Sequence, residues 1–335
     1  MTTHETLILT RGDVARLLTL DAAIEAVEEA FRAQGRGEAP PPAVLHVDAA
    51  GGGFHVKAAR SGRGGGARSY FAAKVNANFP GNPARHGLPL VQGVVVLADG
   101  ERGSPLAVMD SMELTALRTA AASAVAARYL ARAEASIAVV CGCGVQGRLH
   151  LRALARVRRL ERAFAVDVDL ERARAAAREL GSELGIPIAA TTDLVTAALQ
   201  ADLIATCTPA AQFVLRRQDV APGAFVAGVG ADNPGKQELD PGLLAASTVV
   251  VDSLEQCATM GDLHHALAAG AMTRADVYAE LGEVVAGRKS GRRRADETTI
   301  FDSTGVASTD VAAAAAVYER ALAAGAGLRV RLGAA

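Results

Sequence analysis

Three polar side chains stand where their neighbours give them little reason to be. Lys74 sits in Ala72-Ala-Lys-Val-Asn-Ala-Asn-Phe-Pro-Gly-Asn-Pro83, a cation on an otherwise apolar strand that runs into a loop of turn formers. Arg118 lies in Leu114-Thr-Ala-Leu-Arg-Thr-Ala-Ala-Ala122, a single arginine in a small-residue helix start. Asp232 occupies Val229-Gly-Ala-Asp-Asn-Pro-Gly-Lys-Gln-Glu-Leu239, a loop that follows an apolar run. A cation with buried flanks needs an anion, and the planar fork of an arginine clamps a carboxylate. A loop carboxylate can act as acid or base toward nitrogen or water. Each residue also has a plainer reading: a lysine snorkelling from a strand end, an arginine in a structural ion pair, an aspartate capping its own turn.

A fourth feature is a turn. Ser136-Ile-Ala-Val-Val-Cys-Gly-Cys-Gly-Val-Gln-Gly147 opens from an apolar run into Gly142-x-Gly144-x-x-Gly147 and then into the helix-like Arg148-Leu-His-Leu-Arg-Ala-Leu-Ala155. Strand, tight turn and helix in that order form a dinucleotide site. Gly142 permits the sharp turn, Gly144 lets the backbone approach a pyrophosphate, and Gly147 lets helix and strand pack closely. The diphosphate would rest on free N–H groups where the peptide dipoles favour negative charge. Asp167 ends the next apolar run, twenty-five positions after Gly142. Its carboxylate would accept from the ribose hydroxyls and repel a 2′-phosphate, which argues for NAD over NADP. Arg172 and Arg174 lie nearby and leave NADP open, and Asp169 competes for the ribose, although an N-cap is the simpler role for it.

The elements that must position these groups follow two patterns. Residues 6 to 10 read as a strand and Thr19 to Gln34 as a helix burying Ile24, Val27, Ala30 and Phe31. Val44 to Asp99 then reads as four strands parted by glycine-rich loops such as Ser61 to Gly66, an antiparallel or mixed sheet. A long helix is predicted from about Glu113 to Leu130. From Ser136 to about Ile300 strands and helices alternate as in a parallel sheet. The last helix, Asp310 to Ala324, offers Val311, Ala315, Val317 and Leu322 for burial and can return to the N-terminal half, making the first domain discontinuous. The basic loop Arg288 to Arg294 reads as a solvated turn, and His264 and His265 as helix-surface residues.

Composition narrows the chemistry. With 335 residues the chain suits two ordinary domains. The balance of 35 basic against 36 acidic residues offers no net field for nucleic acid or an anionic membrane, and four tyrosines without tryptophan make poor base-stacking platforms. Four cysteines in such a length form no disulfide framework, which points to a reducing, cytoplasmic setting. No Cys/His cluster completes a tetrahedral metal set around Cys141-Gly-Cys143. Neither a signal peptide nor a membrane span is expected. The expected partner is a small ligand.

Taken together, these segments and Phe301-Asp-Ser-Thr-Gly-Val-Ala307 resemble the ornithine cyclodeaminase and mu-crystallin family over almost the whole chain. The resemblance implies an α/β fold: a Rossmann-type parallel-sheet domain (121–310) plus a discontinuous α+β substrate-binding and dimerisation domain (1–120 with 311–335), in a homodimer. It implies that Lys74 and Arg118 hold a substrate carboxylate, that Asp232 is the acid/base, and that Thr119, Val145, Gln146, Asp167, Lys236 and Ser303 contact the dinucleotide. Thr206 joins that set and Thr304 the substrate set. The expected geometry has the two cations and the acid converging on the reactive carbon beside a bound coenzyme. Departures bear on the reaction. Cyclodeaminases carry an arginine after the proline-rich segment, where this chain reads Pro41-Pro-Ala-Val-Leu-His46, and a glutamate and methionine-proline where it has His55 and Lys57. Leu90 replaces a threonine. Lys57 then becomes a candidate second cation, and ornithine a doubtful substrate. Three functions remain: an NAD-dependent imino-acid reductase or amino-acid dehydrogenase of the alanine-dehydrogenase kind, a cyclodeaminase, and a non-catalytic binder of NAD(P)H and a small carboxylate.

Overall fold

The computed structural model describes residues 5–61 and 68–332; beyond Ser61, the predicted glycine-rich loop at 61–66 lies outside them. The chain divides into two compact units, residues 1–118 with 306–335 and residues 119–305.

The first unit is built on strands β1 (Thr6–Leu9), β2 (Ala43–Ala49), β3 (Gly52–Arg60), β4 (Tyr70–Asn78), β5 (Val91–Asp99) and β6 (Pro105–Asp110). With the terminal strand Leu328–Val330 they form one sheet, ordered Leu328–Val330, β1, β6, β5, β4, β3, β2. All pairs are antiparallel except β1 with β6, so the sheet is mixed. Alternation gives it two unlike faces. Along β4, Tyr70, Ala72 and Lys74 are buried while Phe71 and Val75 are exposed. The helix Ala307–Ala324 packs on the buried face against β3, β4 and β5, and the helix Leu20–Gly35 packs on that helix. Thr19 caps Leu20–Gly35 by accepting from the Ala22 N–H, and Ile24, Val27 and Phe31 recur at helical spacing on its buried side. Each such side chain contributes about 1.5–3 kcal/mol by leaving water. Ala30 is only half-buried.

The last helix begins three residues before the position expected from sequence. Its buried line runs through Val311, Ala314, Val317 and Ala321, steps of three and four residues. Leu322 follows Ala321 by one residue, about 100° round the helix, and is 43 % exposed; Ala315 is half-buried for the same reason.

The second unit carries β7 (Ile137–Cys141), β8 (Arg162–Val166), β9 (Ile188–Thr191), β10 (Leu203–Thr206), β11 (Phe225–Gly228), β12 (Thr248–Val251), β13 (Ala279–Glu280) and β14 (Thr299–Asp302). Their order is β13-β12-β14-β11-β10-β7-β8-β9, every pair parallel. β10, β11 and β14 are buried along their whole length, as parallel strands covered on both faces must be. The strand order reverses between β7 and β10, the switch point where such sheets leave a crevice for ligands at their carboxyl ends. The basic loop at 288–294 is exposed at Arg288, Lys289, Ser290, Arg293 and Arg294, as predicted, and one arginine departs from that reading. Arg292 reaches inward and donates to the carbonyls of Leu130 and Ala224 and to Thr299 Oγ1. Carbonyls at a helix end and a strand start need donors, and a guanidinium supplies several at once.

Candidate functional site

At the switch point the glycine turn follows β7 and opens the helix Val145–Val157. Gly142 has φ +93°, a left-handed value that L side chains avoid, and a Cβ there would meet the Cys207 carbonyl oxygen at 2.7 Å. At Gly147 a Cβ would stand 1.9 Å from the Gly142 oxygen, so helix and strand approach closely only because the residue is glycine. Gly144 differs: nothing lies within 4 Å of its would-be Cβ, and as the helix N-cap it provides no side-chain acceptor. The first N–H groups of a 13-residue helix therefore point from an uncapped end. Val145 is 64 % exposed on that end, and Gln146 Oε1 is buried without a hydrogen-bond partner. A cradle that tolerates no side chain on one wall and leaves donors uncapped on the other fits a dinucleotide diphosphate.

Asp167 directly follows β8, at the end of the apolar run. Its Oδ2 accepts from the Cys143 N–H at 2.8 Å and its Oδ1 from the Asp169 N–H at 3.0 Å, which fastens the carboxylate beside the turn. Asp169 is the N-cap of the helix Leu170–Leu184, accepting from the Glu171 and Arg172 N–H groups. Arg172 leans back on Asp167 and Asp169, and Arg174 pairs with Glu171.

Asp232 lies in the loop after β11, exposed, with Lys236 Nζ 2.7 Å from its Oδ1. Lys236, expected to contact the dinucleotide, thus also partners the candidate acid/base. The loop hangs on Glu238, a residue the sequence reading passed over. Glu238 is fully buried and accepts from Thr206 Oγ1, the Thr208 N–H and hydroxyl, and the Gly230 N–H, all at 2.6–2.7 Å. Burial pushes its carboxyl up, against those bonds. Beneath it Asp262 Oδ1 accepts from the Glu238 and Leu239 N–H groups. Burial and the neighbouring Glu238 push Asp262 up to about 7.

Two of the expected contacts have their hydroxyls engaged within the unit. The Thr206 side chain has no exposed surface and its hydroxyl is spent on Glu238. Thr304, expected beside a substrate, is buried with its hydroxyl donating to Asp252 and accepting from Gln256. Both hydroxyls serve buried polar groups that would otherwise be left unpaired. Ser303 is also buried, 3.4 Å from Asp252. Thr119 is nine-tenths buried at the start of its unit. His265 is not a free surface residue: its Nε2 meets the Lys236 carbonyl oxygen at 2.8 Å and ties the Asp232 loop to the helix Asp262–Ala268.

The first unit brings Lys74 and Arg118 together on a carboxylate that sequence reasoning missed, Asp310 in the first turn of the last helix. Lys74 Nζ lies 2.8 Å from Asp310 Oδ2 and donates to Oδ1 at 2.8 Å. Arg118 Nε lies 2.9 Å from Oδ1, yet its N–H is not aimed at that oxygen and makes no hydrogen bond. All three side chains are at least 93 % buried. Lys57 is the direct cross-strand partner of Lys74 and adds to the same field. Two cations therefore touch one carboxylate, and a third adds to its field. Burial pushes Asp310 up, but Lys74, Arg118 and Lys57 outweigh it and hold the carboxyl below its ordinary value. Burial, helped by Arg118 and Lys57, pulls Lys74 down to about 7 against the attraction of Asp310. The cluster is short of negative charge and holds an unused guanidinium donor, the condition of a site built for an incoming carboxylate. His55 stands two residues along the same face, its Nδ1 3.2 Å from Nδ1 of His46, whose Nε2 meets Asp48 at 2.9 Å. Among the described residues no group of three or more His, Cys, Asp or Glu is placed to hold a metal.

A doubly wound sheet with a glycine cradle at its switch point, in a chain that also carries a buried cation cluster, defines a two-unit protein of the dinucleotide-binding class. The profile of the ornithine cyclodeaminase/mu-crystallin family matches residues 4–325, and the chain belongs to that family. It is 39 % identical to an alanine dehydrogenase of Archaeoglobus fulgidus over 98 % of each chain. To an iminosuccinate reductase of Paracoccus denitrificans it is 36 % identical, over 94 % of this chain and 96 % of that one. A solved archaeal alanine dehydrogenase dimer with bound NAD superposes with a TM-score of 0.92 at 39 % identity, over 98 % of this chain and 99 % of that one.

Proposed function

We propose that the protein is an NAD-dependent oxidoreductase that interconverts a small α-amino acid and its imine. The observation that carries this reading is the buried Lys74, Arg118 and Asp310 cluster, one negative charge short and with the Arg118 Nε–H unused. Lys74 and Arg118 hold the α-carboxylate, and Asp232 moves a proton to or from nitrogen or an attacking water. The nicotinamide, when bound, supplies a hydride to the α-carbon or takes one from it. Gly142, Gly144, Val145, Gln146 and Gly147 seat the dinucleotide, with Asp167 on the ribose and Thr119, Lys236 and Ser303 as further contacts. The fastened Asp167 carboxylate supports NAD over NADP, as does the NAD bound by the archaeal relative.

Asp232→Asn is expected to abolish turnover in an assay of nicotinamide absorbance with 2-oxo acids plus ammonia, while NAD affinity stays within about threefold. Surviving activity would remove Asp232 from its role. Net NADH consumption supports the reductase; proline released from ornithine at constant NADH would select a cyclodeaminase, and absence of turnover with intact NADH binding a non-catalytic binder.

We further propose a homodimer formed through the exposed face of the first sheet. Leu45, Val47, Phe54, Phe71, Val75 and Val94 share that face by strand register and are 37–57 % exposed. A continuous apolar sheet face of this kind calls for a partner, and the archaeal relative is a dimer. Its occupant is a second copy of this chain, and Phe71→Asp is expected to give a monomer in analytical ultracentrifugation. All four cysteines are free, which supports a reducing cytoplasm, and no described helix is long and apolar enough to cross a membrane.

A further inference from the structure

The loops after β10 and β11 both end against one buried side chain, Glu238, and the bonds it accepts fix what that side chain can be. Oε1 accepts from the Thr208 N–H at 2.6 Å and the Thr208 hydroxyl at 2.7 Å. Oε2 accepts from the Thr206 hydroxyl and the Gly230 N–H, both at 2.7 Å. Four donors fill the four lone-pair sites of an ionised carboxylate, and a proton on either oxygen would have to displace one of them. Each oxygen faces one backbone N–H, which cannot rotate away as a hydroxyl can.

Glu238 is itself held from both sides. Its N–H donates to Asp262 Oδ1 at 2.7 Å, and its carbonyl accepts from the Val214 N–H at 2.7 Å. Gly230 lets the carboxylate approach the loop backbone, since a Cβ there would stand 2.6 Å from Glu238 Cδ. From Gly230 the restraint passes on in one step: the Gly230 carbonyl accepts from the Asp232 N–H at 3.0 Å. The Asp232 side chain is exposed and bonds within its own loop, to Asn233 and Lys236, so its place is set through the backbone. Thr206 and Gly228 pair in the last row of β10 and β11, beside the switch point. The two loops joined by Glu238 therefore leave the sheet side by side where the crevice opens.

We propose that Glu238 is a positioning residue for the reaction: a fixed anion that transfers no proton, it joins the loops after β10 and β11 and sets where Asp232 meets the substrate nitrogen or water. The inference rests on the acid/base reading of Asp232 above and adds the group that orders it.

Glu238→Gln keeps the shape and tests the claim. Whichever way the amide turns, its NH2 faces the backbone N–H of Thr208 or of Gly230, and one loop is released. In the assay with 2-oxo acids plus ammonia, kcat is expected to fall about 10²-fold, the effect of displacing a reacting group by roughly 1 Å. KM for the 2-oxo acid, held by Lys74 and Arg118, should stay within about threefold. Thr208→Val removes one hydroxyl donor and should lower kcat about tenfold, and Thr208→Ser should restore it. Hydrogen exchange followed by mass spectrometry on the NAD-loaded protein needs no turnover. Segments 206–210 and 229–233 should exchange about tenfold faster or more in Glu238→Gln, with β7 and β8 unchanged. An unchanged kcat, or unchanged exchange in a variant that only lowers Tm, would overturn the positioning role and leave the reading of Asp232 standing. Activity retained in Asp232→Asn removes the acid/base reading, and the exchange result then decides by itself whether Glu238 orders the loop.

Discussion

The two units bury charge in opposite ways. In the first, Lys74 and Arg118 gather on the carboxylate of Asp310 with Lys57 adding to the field, and a guanidinium donor goes unused. In the second, Glu238, Asp252, Asp262 and Asp302 are all buried, and nearly every oxygen accepts from a backbone N–H, a hydroxyl or a thiol. Burial and Asp262 push Asp302 well above its ordinary value, as burial and Glu238 do Asp262. The contrast teaches that buried charge alone does not mark a binding site. Acids satisfied by the backbone hold loops in place, whereas cations left with a spare donor await a ligand.

Removing the one anion of the first unit is the largest way to break this contrast. Asp310→Asn strands Lys74 and Arg118 without a counter-charge, and urea denaturation should show a loss of about 3–5 kcal/mol. A change below about 1 kcal/mol would mean that the cations are neutralised by something other than Asp310.

Next in size is the dinucleotide turn. Gly147→Ala puts a Cβ 1.9 Å from the Gly142 oxygen. Calorimetric NAD affinity should fall by tenfold or more, about 1–3 kcal/mol of forced displacement. Gly144→Ala, with open space at its Cβ, should leave stability unchanged and weaken only NAD.

The titrating groups sharpen the comparison further. Lys74, pulled down to about 7, carries its proton below that pH, so affinity for lactate should fall as pH rises from 6 to 9, and Lys74→Met should flatten the profile. Asp262 has the opposite sense. Its folded value, about 7, lies above the ordinary 3.8, so the fold binds the extra proton between these values. Its contribution to stability is fully present below pH 4 and is lost as pH rises through 7, at no more than about 1.4 kcal/mol per pH unit. Asp262→Asn should reduce that slope in denaturation curves taken between pH 5 and 8.

The smallest expected effect is at the ribose acid. Asp167→Ala should weaken NAD by about 1–2 kcal/mol and NADP far less; equal losses would remove the specificity argument.

Much of the fold was legible because its signals are local. Thr19 and Asp169 cap their helices from two or three residues away, the apolar runs of β10, β11 and β14 declare strands buried on both faces, and Gly142 and Gly147 are required by the backbone path of a turn a few residues long. Lys74, Arg118 and Asp232 stood out because their neighbours did not explain them. Other features gave no such mark. Glu238 in Lys-Gln-Glu-Leu reads as a surface glutamate, and its burial is set by strands thirty residues away. Thr206 and Thr304 read as ligand contacts, and nothing in the sequence marks that packing engages their hydroxyls with buried acids.

The chain's own order of residues thus decided the glycine turn, the strand alternation and which side chains were anomalous, since these depend on φ, ψ and on neighbours within a turn or a strand. Only the tertiary structure decided the charge balance. Lys74 and Asp310 are 236 positions apart, and no periodicity announces that a helix at the end of the chain will bring a carboxylate to Lys74 and Arg118. Ion pairing is a property of distance and dielectric, and both are fixed when the last helix lies down on the first sheet.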